Sequence, residues 1–324
     1  MDRRAFIVGG VAALAGPLGA EAQQAGKRYR IGMLERTSAA VNAANVDGFR
    51  QGLRERGYIE GKTFVIEYRS SDGRDERYPG LATELVRLKV DVIVTRGTPA
   101  ALAAKQATAT IPVVITGTGD PVGQGIVASL ARPGGNVTGL SAQVTDIYAK
   151  RVQIFKELVP RAVHVAALFN MSNPAIPQAW KEVEVSARSL GMQPQLLDVR
   201  KPEDLGPAID RAIKQRADGL IVGLDTLTQA NQRLIVGLAA QHRLPAVYAS
   251  MEFAGGLIVY GVNYPHHYRR AAGFVDRIFK GAQPADLPIE QPTKFDLILN
   301  MKTAKALGLT IPPSLLARAD QVIE

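Results

Sequence analysis

From residue 29 onward, short apolar runs alternate with stretches of helical spacing, and the whole series runs through twice. Apolar strands separated by helices imply a parallel sheet covered on both faces, because each crossover lays a helix against the sheet. In the first pass, strands are expected at residues 29–34, 63–68, 90–94 and 111–115, with helices over 41–56, 81–88 and 99–108. Val46, Phe49 and Leu53 give the first helix its apolar stripe, and Gly57 stands where a left-handed residue can close it. In the second pass, strands are expected at 164–169, 195–199, 219–222 and 244–248, with helices over 175–190, 202–216 and 226–242. Pro112 and Pro245 open strands at corresponding places in the two passes, where a missing N–H does no harm. Two similar α/β parallel-sheet lobes are the simplest account; a single doubly wound sheet of ten strands is the alternative. Beyond Tyr260, residues 261–265 lead into an amphipathic helix over 267–280. A strand over 295–300 and a short helix to Leu307, closed by Gly308, form a tail too small to be a domain, so it must complete the lobes.

The chain has 324 residues, room for two such lobes, and with 46% apolar and 21% charged residues it has a globular rather than a disordered composition. It contains no cysteine, which excludes a disulfide framework, a thiolate metal site, a cysteine nucleophile and lipid attachment through an N-terminal cysteine. The net charge is +9, but basic residues are interspersed with acids, as in Arg50, Arg54, Glu55 and Arg56. That pattern reads as a solvated basic surface, not as a nucleic-acid or membrane patch.

The first residues read as an export signal. Arg3 and Arg4 precede an apolar run from Ala5 to Ala15, too short to span a bilayer, and Gly16-Pro17 breaks any helix. Ala20-Glu21-Ala22 has the small-x-small pattern of a cleavage site, so residues 1–22 are expected to be removed after Ala22. The paired arginines fit a twin-arginine signal, with the general secretory route as the alternative. Either route leads out of the cytoplasm, and the periplasm is the expected location.

Catalytic patterns are sparse. There is no G-x-S-x-G elbow and no G-x-x-x-x-G-K-[ST] loop. The four histidines show no H-E-x-x-H spacing, and adjacent His266 and His267 would point about 100° apart on a helix. No metal or cofactor is expected. Gly117-Thr118-Gly119 follows a strand, but Gly123 falls one residue late for a dinucleotide loop, and Asp120-Pro121 reads as the cap and first residue of a helix. What the chain does carry is small polar residues at the C-terminal ends of its strands, the edge where parallel sheets bind ligands and helix N-termini offer free N–H groups. The candidates in the first pass are Glu35, Thr37 and Ser38, then Arg96 and Thr98, then Thr116, Gly117 and Asp120. In the second pass they are Asn170 and Asn173, then Asp225, then Tyr248. Hydroxyls and N–H donors suit a carboxylate, while Asp225, Asp120 or Glu252 suits an ammonium. Each residue could equally be a helix cap or turn.

Longer segments carry a resemblance. They are 49–58 (FRQGLRERGY), 82–95 with Gly97-Thr98-Pro99-Ala100, 119–122 running to 129–139 (SLARPGGNVTG), 253–257 with Tyr260-Gly261, and 292–295 through 300–308. In these the chain resembles ABC-transporter substrate-binding proteins of the tryptophan-binding-like group, with a type I periplasmic-binding-protein fold. The resemblance implies two lobes, 27–140 plus 262–288 and 141–261 plus 289–324, joined by crossovers near 139–141, 260–263 and 288–291. It implies a small organic solute, an amino acid or similar carboxylate, held between the lobes and delivered to a membrane permease without catalysis. It points to Thr98, Asp120, Asn170 and Asp225 as contacts, with the loops around Glu35 and Tyr248 setting the choice of solute. A monomer that binds no nucleic acid is expected. A ligand-sensing regulator of the same fold would need a helix-turn-helix before the first lobe, and Gly26 stands nearly adjacent to the first expected strand.

Overall fold

The computed structural model describes residues 28–142, 145–292 and 295–324; the export signal expected at residues 1–22 lies outside the described residues. The first sheet is built from β1 (Tyr29–Glu35), α1 (Ala43–Arg54), β2 (Phe64–Ser70), α2 (Tyr78–Arg87), β3 (Val92–Thr95), α3 (Thr98–Ala107), β4 (Val113–Ile115) and β5 (Val137–Gly139). Its strands are all parallel, in the order β2-β1-β3-β4-β5.

The second set of elements is α4 (Thr145–Leu158), β6 (His164–Phe169), α5 (Ile176–Ser189), β7 (Gln193–Asp198), α6 (Leu205–Lys214), β8 (Gly219–Val222), α7 (Thr226–Ala230), α8 (Gln232–Gln241), β9 (Ala246–Ser250) and β10 (Ile258–Val262). Then follow α9 (Tyr264–Phe279), β11 (Asp296–Asn300), α10 (Met301–Leu307), α11 (Pro313–Leu316) and β12 (Gln321–Ile323). The second sheet runs β12-β11-β10-β9-β8-β6-β7, parallel except where β10 meets β11. The two expected parallel-sheet lobes are therefore present, and the single ten-stranded sheet is not. β3 and β8 are buried at every residue, as strands covered on both faces must be.

The chain passes from the first sheet to the second between β5 and α4 and returns between β10 and α9. It crosses again before β11, where Ser141 N donates to Glu290 O and Glu290 N to Gly139 O, each at 2.9 Å, so that two crossing segments run side by side. Helix α9 follows a strand of the second sheet but packs on α1 of the first. Glycine makes this possible: a Cβ on Gly48 would lie 2.4 Å from Pro265 O, and one on Gly52 2.3 Å from Arg269 O. At the far end Tyr29 stacks on Phe279 at 3.7 Å, and Tyr58 Oη donates to Asp276 Oδ1 at 3.1 Å.

Several expectations give way. The helix expected after Asp120 does not form; residues 121–125 are turns in which Asp120 Oδ1 accepts from Gly123 N at 2.9 Å, and Gly125 turns the chain at φ +66. The helix expected over 226–242 breaks at Asn231, whose amide donates to Leu227 O at 2.9 Å and competes with the backbone ladder. Helix α4 and strands β5, β10 and β12 have no counterpart in the sequence expectations. In α4 a charge hides the apolar face: Arg151 is fully buried, donates to Tyr260 O at 2.8 Å and lies 4.6 Å from the Tyr148 ring.

Candidate functional site

The C-terminal strand ends of the two sheets meet across a seam between the lobes. A cavity of about 30 Å³ lies in it, walled on one side by Arg96, Thr98, Gly117 and Thr118 and on the other by Asn173, Leu224, Asp225 and Gln229, with Tyr264 from the start of α9. A second cavity of about 10 Å³, lined by Arg36, Thr37, Gln232 and Glu252, shares Arg96, Thr226 and Gln229 with the first.

Asp225 is the most heavily coordinated side chain of the second lobe's wall. It is buried at the N-terminus of α7, where its carboxylate accepts from Leu227 N (2.7 Å), Asn170 Nδ2 (3.1 Å) and Asn173 Nδ2 (2.7 Å). A carboxylate offers about four lone-pair sites, so three donors leave one for a further group. Facing it, α3 begins with Gly97 at φ +88, Thr98 and Pro99, and no side chain caps it. The uncapped N–H groups carry the positive end of the helix dipole into the seam. Beside them Thr118 Oγ1 is buried without a hydrogen-bond partner. Gly97 also permits close approach of the lobes, since a Cβ there would lie 2.9 Å from Thr226 Cγ2.

Two arginines tie the lobes together. Arg96, 6% exposed, pairs with Glu252 Oε1 at 2.7 Å, and its guanidinium lies 4.6 Å from the Tyr264 ring centre. Burial pushes the Glu252 carboxyl up, but Arg96 and the hydrogen bonds it receives outweigh burial and hold it below the usual range. Arg36 donates to Asp75 and Gly73 O within its own lobe and to Thr226 Oγ1 across the seam at 3.1 Å. Behind Arg96, Tyr268 Oη donates to Glu35 Oε1 at 2.6 Å. Burial pushes the Glu35 carboxyl up to about 7, against the pull of Arg96 and this hydrogen bond, with Glu252 adding to the upward push.

Of the residues singled out from sequence, Arg96, Thr98, Gly117, Asn173 and Asp225 line the larger cavity and Thr37 the smaller. Asn170 stands behind Asp225 and positions it. Glu35 lies inside the first lobe, and Thr116 turns its hydroxyl to Thr95 O at 3.2 Å. Three fall elsewhere. Asp120 is exposed and spent as a turn cap, and Ser38 is exposed in a turn where its carbonyl accepts from Asn42 N. Tyr248 is on the wrong face: alternation along β9 sends Val247 and Ala249 to one core and Tyr248 to the other, where it stacks on Phe253 at 4.9 Å. Glu252, expected to suit an ammonium, is already paired with Arg96. Arg36, Gln229 and Tyr264 were not singled out. Only the step of Arg36 beyond Glu35 at a strand end, and of Tyr264 just ahead of the helix expected over 267–280, hinted at them.

Among the described residues no group of three or more His, Asp or Glu is placed to hold a metal, and no helix is long and apolar enough to cross a membrane. The family model described as ABC transporter substrate binding protein matches residues 31–323. The chain belongs to this family. It is 27% identical over 269 residues to a tyrosine-binding protein of Clostridioides difficile (strain R20291), covering 81% of this chain and 76% of that protein. It superposes with a TM-score of 0.84 on a Streptococcus pneumoniae ABC domain crystallised in complex with L-Trp, at 26% identity, over 92% of this chain and all of the other. A conserved domain protein from Vibrio cholerae superposes with a TM-score of 0.85, at 27% identity, over 91% of this chain and all of the other. As in this family, the two Rossmann-like lobes form a type I periplasmic-binding-protein fold.

Proposed function

We propose that this substrate-binding protein holds an α-amino acid in the seam, with the ammonium on Asp225 and the carboxylate at the N-terminus of α3. The observation that carries this is the pairing of opposite demands within one cavity. Asp225 has one acceptor site to spare, while across from it an uncapped helix N-terminus and the unpartnered Thr118 hydroxyl call for an anion. A zwitterion meets both. The relatives named for tyrosine and crystallised with L-Trp support an amino acid as the class.

The seam as it stands is far smaller than the roughly 300–1,000 Å³ of ordinary ligand pockets. Entry therefore requires the lobes to part, which breaks the Arg96–Glu252 pair and the Arg36–Thr226 hydrogen bond. On this reading the lobes comprise residues 27–140 plus 262–288 and 141–261 plus 289–324, hinged on the three crossings. The protein is exported by way of residues 1–22, acts in the periplasm as a monomer, presents the closed form to a membrane permease and performs no catalysis.

Natively purified protein titrated calorimetrically with the common amino acids, with mass spectrometry of any retained solute, tests the proposal. Tight one-to-one binding with an unaltered solute is expected. Binding of no amino acid overturns it, and steady conversion of the bound compound removes the transport role.

A further inference from the structure

The smaller cavity has walls from both lobes, and three of the residues that line it carry polar atoms that the protein leaves unused. Arg36 Nε and Arg96 Nε are buried donors without partners, and Gln232 Oε1 is a buried acceptor without one. Neighbouring groups are engaged within the protein: Arg36 Nη1 and Nη2 by Asp75, Thr226 and Gly73 O, Arg96 Nη1 by Glu252, and Gln229 Nε2 by Ser250 Oγ and Glu252 Oε2 at 3.2 and 3.3 Å. Unsatisfied buried polar groups are costly and uncommon, so three on the residues that line one small space call for an occupant.

The count of donors and acceptors identifies the kind. Two N–H groups need an acceptor with two lone pairs, and one carbonyl oxygen needs a donor. A hydroxyl supplies one O–H and two lone pairs. A carboxylate has no proton for Gln232, an ammonium has no lone pair for the arginines, and a hydrocarbon tip has neither. Net charge does not favour an anion either, because Glu252 and Asp75 sit against the two arginines.

The two cavities share the Arg96, Thr226 and Gln229 partition, and the larger has apolar wall at Leu224, Ile176 and Tyr264. We infer that they are the two ends of one solute site, and that the smaller is a hydroxyl subsite selecting an amino acid whose largely apolar side chain ends in a hydroxyl, a phenol being the matched case. This rests on the reading of the seam as an amino-acid site. Gln232, at the start of α8, would then be a specificity-determining residue.

L-tyrosine and L-phenylalanine differ by this one group and are the probes, titrated calorimetrically into the full chain. The wild type is expected to bind L-tyrosine roughly 10- to 100-fold more tightly, the range for leaving buried polar groups unpaired. Gln232→Met should cut L-tyrosine affinity about 10-fold and leave L-phenylalanine within about twofold. If the Met variant binds neither, Gln232→Glu, which keeps an acceptor, decides: a retained preference for L-tyrosine supports the subsite, and a lost one overturns it. Equal wild-type affinity for the two probes, as when a water molecule fills the chamber beside either, overturns the subsite and leaves the amino-acid reading standing. Binding of some other amino acid but not L-tyrosine does the same, whereas binding of none overturns the broader reading itself.

Discussion

Replacing Glu252 by alanine removes one half of the ion pair that spans the seam. Arg96 is 6% exposed and the Glu252 side chain 21%, and they meet at 2.7 Å, so the mutation leaves a charge buried without its partner. Breaking a buried pair in this way costs about 3–5 kcal/mol, and the partial exposure of Glu252 argues for the lower end, about 3 kcal/mol. The cost falls on the closed form. When the lobes part, water reaches Arg96 and solvates it with or without Glu252, so the open form and the unfolding transition measured from it change little. A penalty of about 3 kcal/mol on closure weakens a solute held by closure roughly 100-fold. Calorimetric titration gives the affinity, thermal unfolding without solute gives the stability, and small-angle scattering follows the shift toward the open shape. Glu252→Gln keeps an acceptor oxygen for Arg96 and Asn45 but turns an amide N–H toward Gln229 and loses the charge, and should fall between the two. Unchanged affinity in Glu252→Ala, or a large fall in unfolding temperature with unchanged affinity, would refute the idea that this pair acts as a latch.

Asp225→Ala leaves Leu227 N and the Asn170 and Asn173 amides without their acceptor, so stability should drop by about 3 kcal/mol in urea titrations and affinity for an amine-bearing solute at least about 10-fold; unchanged affinity would make Asp225 a helix cap alone. Glu35 gives a pH signature: its folded carboxyl titrates near 7 against an ordinary value of 4.5, so the folded protein binds the extra proton and stability is lost as pH rises from about 4.5 to 7. Wild type relative to Glu35→Gln should lose about 3 kcal/mol across that window in paired denaturation curves, and the comparison cancels His267, which burial holds near 4 and which acts in the opposite sense. Gly52→Ala sets a Cβ 2.3 Å from Arg269 O and should cost about 1–3 kcal/mol, read as a lower unfolding temperature, by forcing α9 away from α1.

The alternation of strands and helices was legible because each element's apolar spacing is local: β6 at His164–Phe169 and β8 at Gly219–Val222 lie where the sequence places them. Helix α4 was not legible, because the buried guanidinium of Arg151 finds its hydrogen-bond acceptors in the carbonyls of Ala249 and Tyr260, residues about 100 positions away. The site was partly legible. Polar residues at strand ends mark the ligand edge of a parallel sheet, and five of the twelve candidates line the larger cavity for that reason. Which strand-end residue faces the seam depends on one-residue alternation and on what lies across it, as the inward turn of Tyr248 and the capping of Gly123 by Asp120 show.

By itself, then, the order of residues favoured two parallel-sheet lobes, excluded cysteine chemistry and marked the strand-end edge that lines the seam. Those follow from periodicity and composition, which act over a few residues. Only the tertiary structure decided that Arg96 meets Glu252, that Arg36 and Gln232 wall a common chamber with unused polar atoms, and that Gly48 and Gly52 bring α9 back onto the first lobe. These contacts join residues far apart in the chain, and which partner satisfies a buried charge is settled by packing, not by spacing.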